Sequence, residues 1–371
     1  MILEEMVQKN YSLSYSKLIL VGLAFLYFIA PSFMENIVGA DFYIYSKYQS
    51  LVSSYSISFF FILVVFLWLL LSVVPERKLK VPKVSNRVLK IIFFLNCFYQ
   101  LFLISQGVLG RISGLSRIEL LDKIGSLLIP GYGYILLLAC ISILKLRRRK
   151  LLIIFFCLSF TIDILFQGKI FATVSLMLLM FYLDLSHIKL TTKRIIILIV
   201  SGFTFLISVI LLRSTNEVNS DTLLDIYTSF SEFMGVQATV GWGYEYSLND
   251  KPVDLFKFDT TLQDYYYNSV GHGLALSPAG YFLGNFGGNY YFTVSLYFVS
   301  LFILYVLAAR LIGNYSIFIL MFNYIHLLRH GPSIFLSNSI LQIIFLILIT
   351  FFLKLINEEK HKLFRREGEL L

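Results

Sequence analysis

Charge is scarce in this sequence. Asp, Glu, Lys and Arg together make up 14% of its 371 residues, while 58% are hydrophobic. A soluble domain carries roughly 25% charge, so this scarcity excludes one and points to a chain built for lipid. Cysteine is rarer still. Cys97, Cys140 and Cys157 all sit inside apolar runs without metal-ligand spacing. They read as small core hydrophobes, and no disulfide is expected. A glycine-rich phosphate loop, a zinc spacing, a nucleophile elbow and a Ca²⁺ loop are also missing. Gly168-Lys169 lacks the glycine run that precedes the lysine of a P-loop. The expectation is therefore no cofactor and no metal. The opening MILEEMVQKN is acidic and polar, with no small-residue cleavage pattern after the first apolar run. No cleavable signal peptide is expected, and the first span itself would direct insertion. Neither an internal repeat nor a low-complexity linker is visible. A single membrane domain over residues 1–371 is the simplest account.

What is present is apolar length. A membrane-crossing helix needs roughly 20 apolar residues. Ten candidate runs appear at 17–38, 51–74, 88–109, 126–145, 151–167, 170–185, 195–212, 289–309, 315–331 and 336–354. The fifth and sixth meet at Gln167-Gly168-Lys169, which predicts a tight helical hairpin. Lys and Arg set the orientation. One set of loops and both termini hold 22 of the 31 basic residues (31 − 9), including Arg147-Arg148-Arg149-Lys150. The opposite side keeps Lys47, Arg111, Arg117, Lys123, Lys169, Arg213, Lys251, Lys257 and Arg329. The basic loops and both termini are thus expected in the cytoplasm. The net charge of +9 reports those loops rather than an affinity for nucleic acid.

Four of the outer cations are candidates for one pocket. Arg117 sits in RISGLSRIELLDKIG, an amphipathic loop, away from a helix end. Lys169 tips the hairpin, Arg213 ends the apolar run ISVILLR, and Arg329 ends another in YIHLLRHG. A guanidinium offers a planar fork suited to phosphate oxygens. Taken singly, each has a plainer explanation. A cation at a helix C-terminus answers the last carbonyls, and long cations snorkel to headgroups.

Hydrophobicity is interrupted once at length, from Arg213 to Gly288. Apolar spacing predicts a helix from Asn219 or Ser220 to Val236, carrying Leu223, Ile226, Tyr227, Phe230, Phe233 and Met234. Its opposite stripe holds Asp221, Asp225 and Glu232. Glu232 falls near Phe230 and Phe233, where burial would raise its pKa and suit it to general-base work. A solvated carboxylate is the bland alternative. Next comes GVQATVGWGYEYSLND. Trp242 and Tyr244 offer faces for sugar rings, and Gln237 an amide for sugar hydroxyls. An interfacial aromatic belt explains the same residues, and the other tryptophan, Trp68, reads as lipid-facing or core. Then follow His272 between two glycines, a Ser277-Pro278 turn and an apolar stretch too short to span. A re-entrant segment there is tolerated only against protein or a wet cavity. His272 is a second candidate base, with a surface-loop histidine as the alternative. His330 is expected near the outer pocket and His326 within the ninth span.

In its topology the chain resembles the Wzy-type oligosaccharide repeat-unit polymerases, the O-antigen polymerases of bacterial inner membranes. Locally the resemblance rests on Arg117, Gly168-Lys169, Arg213-Ser214, Phe230-Ser231-Glu232-Phe233, the run from Ser277 to Gly287, and Arg329. It implies an all-α polytopic protein with about ten transmembrane helices and one large periplasmic loop at 213–288. The implied fold is that of the lipid-dependent, metal-independent (GT-C-like) membrane glycosyltransferases, shared with O-antigen ligases. The implied substrate is an oligosaccharide on undecaprenyl diphosphate. The growing glycan moves from its carrier to the non-reducing end of a new lipid-linked repeat unit, on the periplasmic side of the inner membrane. Arg117, Lys169, Arg213 and Arg329 would then hold the diphosphate, with Glu232 or His272 as base. Trp242, Tyr244 and Gln237 would bind sugar. Membrane lipids surround the protein, and a chain-length regulator is the protein partner that such an enzyme suggests. An O-antigen ligase of the same fold and a flippase of lipid-linked glycan are the competing readings. A transporter would need ionisable residues within spans. Only Asp163, Asp184 and a few helix-end residues offer them.

Overall fold

Only a helix satisfies the backbone of an isolated apolar segment in lipid, and helix is what the computed structural model contains. It describes residues 14–32, 49–74, 84–129, 131–166, 168, 170–186, 188, 190–191, 193, 236–237, 239–249, 254–266 and 275–368. Among these there is no strand, only an isolated bridge between Leu276 and His330. The helices are α1 (Ser14–Phe28), α2 (Gln49–Val73), α3 (Asn86–Ile112), α4 (Arg117–Leu127), α5 (Tyr132–Leu146), α6 (Arg149–Phe166) and α7 (Ile170–Leu185). Then come α8 (239–248), α9 (Phe258–Tyr266), α10 (Pro278–Phe286), α11 (Tyr290–Ile312), α12 (Tyr315–Arg329) and α13 (Pro332–Gly368). Among the described residues, five stretches are long and apolar enough to cross a membrane: Ser14–Ser32, Ser53–Val73, Asn86–Ile112, Pro278–Ile312 and Pro332–Leu353. The chain is an all-α membrane protein. Helices also stand at the expected runs of α5, α6, α7 and α12, while residues 195–212 lie outside the described residues.

The fourth run starts later than its hydrophobicity suggests. The sequence places Pro130 before Gly131, which adopts φ 81, a left-handed conformation that only glycine takes without strain. Residues 117–127 instead form a separate helix, α4. The short connection at 167–169 does join α6 and α7 as a hairpin, and Asp163 ties it. Its carbonyl accepts from Gly168 N–H at 2.8 Å, and its carboxylate accepts from Ala172 N–H at 2.6 Å.

The helices pack as two neighbourhoods sharing an edge. α3 lies against α5 and α6, and α6 against α7. α1 contacts α2 and α7, and α2 contacts α11. α12 touches α1, α5, α7, α11 and α13. Enclosure explains its composition. Thirteen of its residues, from Tyr315 to Leu328, are buried, as expected of a helix apolar all round. The reverse holds outside the bundle. Phe61, Val65 and Trp68 of α2, and Phe94, Leu95 and Phe98 of α3, are exposed, as lipid-facing side chains must be. Trp68 is therefore on the outer surface. Cys97 and Cys140 are buried as expected, whereas Cys157 is exposed; the core reading of Cys157 is corrected.

Distant segments are fastened by hydrogen bonds. Asp184, at the end of α7, accepts from Tyr15 N–H at 3.1 Å, Ser16 N–H at 2.8 Å and the Ser16 hydroxyl at 2.6 Å. It caps the first turn of α1 from another helix, answering donors that α1 leaves open. The Tyr324 hydroxyl donates to the Leu20 carbonyl at 2.9 Å. Asn323 and Gln342 pair amide to amide between α12 and α13, at 2.8 Å and 3.4 Å.

Candidate functional site

The ends of α1, α11 and α12 that lie near α8–α10 form one face of the bundle, here termed the loop face. Its construction starts from two glycines. A Cβ on Gly243 would collide with the Gly280 carbonyl, and one on Gly280 with the Thr239 carbonyl. Without side chains there, α8 and α10 touch backbone to backbone. The Thr239 hydroxyl donates to the Val236 carbonyl at 2.6 Å and accepts from Ser277 N–H at 2.8 Å. α9 closes the other side, with the Phe258 ring filling the space that Gly284 leaves. Asp254 N–H donates to Asn285 Oδ1 at 2.8 Å, and the Tyr281 hydroxyl to the Leu255 carbonyl at 2.9 Å. Every residue of α10 from Pro278 to Asn285 is buried. The short apolar stretch is thus covered by protein, and Ser277-Pro278 is the start of a helix rather than a free turn.

This platform is bonded to the end of α12. Leu276 N–H donates to the Arg329 carbonyl at 2.8 Å, and Leu276 pairs with His330 in a parallel bridge. Arg329 ends α12 as expected, and His330 is the C-cap, its N–H donating to the His326 carbonyl. The two imidazoles meet, Nδ1 to Nδ1 at 3.1 Å. Arg329, His326 and His330 are all half-buried.

Three expected sugar-binding residues fall on or beside α8. Gln237 is 5% exposed, and its Nε2 donates to the Ser32 hydroxyl at 3.1 Å, joining this segment to the end of α1. Trp242 and Tyr244 are half-buried and lie against the core. Two positions apart on a helix, they point about 200° apart around it. They are therefore not a single stacking surface.

Arg117 needs correction. It opens α4 rather than lying in a loop. Ser116 precedes it, with its N–H and hydroxyl on Glu119 Oε2 at 2.7 Å and 2.8 Å, and Glu119 N–H returns to the Ser116 hydroxyl. This is a capping box, and Ser116 holds the Glu119 carboxyl below its ordinary pKa. A cation in the first turn opposes the helix dipole, so the usual helix-end explanation of Arg117 does not apply. Its side chain, and all of Lys169, Arg213, Glu232 and His272, lie outside the described residues. So does most of the helix expected at 219–236.

Among the outer cations that were left aside, Arg111 has a structural use. Its Nε donates to the Leu165 carbonyl at 3.0 Å, answering the C-terminal end of α6. The carboxylates weighed for transport are likewise employed. Asp163 serves the start of α7 and Asp184 that of α1. Sequence reasoning missed the histidine contact, although the spacing His326-Leu327-Leu328-Arg329-His330 places both on one helical face. Among the described residues, no group of three or more His, Cys, Asp or Glu side chains is arranged to hold a metal ion. No family model, curated protein or solved structure matches the chain.

Proposed function

We propose that this protein is a membrane glycosyltransferase of the repeat-unit polymerase type. It transfers a growing glycan from undecaprenyl diphosphate to the non-reducing end of a second lipid-linked oligosaccharide, on the periplasmic side of the bacterial inner membrane. About ten spans carry the site, with both termini in the cytoplasm. The observation that carries the reading is the junction of Arg329 with α10. A cation at the end of a core helix is bonded through its own backbone to a buried platform of loop helices. A guanidinium held on so firm a base suits a diphosphate leaving group.

In the mechanism, Arg329 joins Arg117, Lys169 and Arg213 in holding the diphosphate. Its negative charge grows as the bond to the anomeric carbon breaks. Preorganised cations stabilise that change more than they stabilise the ground state. A base then takes the acceptor proton, with Glu232 and His272 as the sequence-level candidates. Trp242, Tyr244 and Gln237 serve the sugars. Asp163 and Asp184, the carboxylates weighed for a flippase, accept N–H bonds from the starts of α7 and α1.

The test is a glycan ladder from cells lacking the protein and complemented with variants. Surface core bearing a single repeat unit supports the polymerase. Core without a repeat unit, with long lipid-linked polymer accumulating, assigns a ligase. Repeat units trapped on the cytoplasmic leaflet assign a flippase. Arg117→Ala and Arg213→Ala should abolish polymer while the protein stays inserted, and normal chain lengths in both would sink the diphosphate clamp.

A further inference from the structure

His326 and His330 lie one turn apart at the end of α12, with their rings 5.0 Å apart between centroids. An Nδ1-to-Nδ1 distance of 3.1 Å is a hydrogen-bond distance. Two neutral imidazoles make such a bond only when one Nδ1 carries the proton and the other accepts it. The contact therefore couples the two tautomers. If His330 Nδ1–H donates to His326, then Nε2 of His330 is the basic nitrogen of that ring.

The two rings are also placed differently in the fold. His330 is the C-cap of α12, at the loop face. His326 is one turn deeper, on a helix otherwise enclosed by the bundle. His330 is further pinned by its backbone pairing with Leu276, next to the buried start of α10. A base whose ring is oriented by a second group, and whose backbone is fixed to the platform of the site, has the arrangement that nucleophile activation requires.

We propose that His330 is the general base for glycosyl transfer and that His326 is its positioning residue; this rests on the function proposed above. The acceptor O–H bond breaks and its proton passes to His330 Nε2. The acceptor oxygen bonds to the anomeric carbon of the donor. The bond from that carbon to the diphosphate oxygen breaks, and its electron pair leaves on undecaprenyl diphosphate. His330 then carries both ring protons, still donating through Nδ1 to His326, and later releases one to water. Glu232 and His272 are the rivals for this role.

The experiment uses full-length protein in liposomes, fed with lipid-linked repeat unit extracted from cells that lack it. Wild-type protein should lengthen this material; if it does not, the polymerase reading fails and this proposal falls with it. Given wild-type activity, His330→Asn should lower kcat by about 10²–10⁴-fold with KM nearly unchanged. His326→Leu should lower kcat at least about tenfold. His326→Asn, which keeps an oxygen acceptor near the Nδ1 position, should restore most of it. Each variant is compared at matched thermal unfolding, with His330→Gln read if His330→Asn does not fold. Wild-type kcat in a folded His330 variant overturns the proposal and leaves polymerisation standing. Equal loss in His326→Leu and His326→Asn removes His326 as a positioning residue and overturns the pair.

Discussion

Gly243 of α8 rests against the carbonyl of Gly280 in α10, so that neither position has room for a methyl group. The contact sets how closely the loop helices lie, and through Leu276 it is continuous with the end of α12.

Gly243→Ala or Gly280→Ala should therefore push α8 away from α10. Overpacking of this kind costs about 1–3 kcal/mol. Thermal unfolding of the purified protein should fall for both. Gly125→Ala serves as the control, because a Cβ there meets nothing within 4 Å. A Gly280→Ala protein as stable as the control would contradict the backbone contact.

The buried amides Asn323 and Gln342 face each other between α12 and α13. Removing one leaves the other unpaired in an apolar surround, at about 1–2 kcal/mol. Asn323→Leu and Gln342→Leu should each lower stability. The double variant should lie closer to wild type than the sum of the two losses. Strict additivity in this double-mutant cycle would show that the amides are not coupled.

Asp254 starts the turn into α9 and accepts from Lys257 N–H at 2.9 Å, the Thr261 hydroxyl at 2.7 Å and Phe256 N–H at 3.2 Å. The Lys257 N–H, then the Thr261 hydroxyl, hold its carboxyl below the ordinary value. A carboxyl with a depressed folded pKa stabilises fully above its unfolded value, about 3.9. That contribution is lost as pH falls through the lower folded value. Hydrogen exchange at residues 256–262, corrected for its intrinsic pH dependence, should quicken only below about pH 3.9. Asp254→Asn should exchange faster at neutral pH and show no further step in that window. A step persisting in the variant would assign the transition to another group.

Much of the architecture was legible because lipid imposes a simple rule on apolar length. The hairpin at Gly168 and the ends of α2 and α7 follow from it. The start of α5 did not, since hydrophobicity runs through residues 126–129 while the left-handed Gly131 sets the start of the helix at Tyr132. The opening of α4 at Arg117 was signalled by Ser116 and Glu119, a capping box read at first as part of a loop. At the site, Arg329 was legible as a helix end. Its link to Leu276 was not, because residues 53 apart (329 − 276) pair through backbone atoms that carry no side-chain signature. Asp163 and Asp184 looked like buried charges in spans. That they answer N–H groups of other helices is a property of packing, which composition does not record.

The bond from Tyr324 to Leu20 spans 304 positions, and Asp184 holds the first turn of α1 across 168. The helix Ser14–Phe28 is therefore completed by contacts to residues far later in the chain. α12, only 15 residues long and buried on nearly every side, enters a slot whose walls include α1, α5, α7 and α11, all synthesised before it. Assembly of the loop face is thus a late event in biosynthesis. A chain interrupted before α12 would lack the helix end to which Leu276 is bonded.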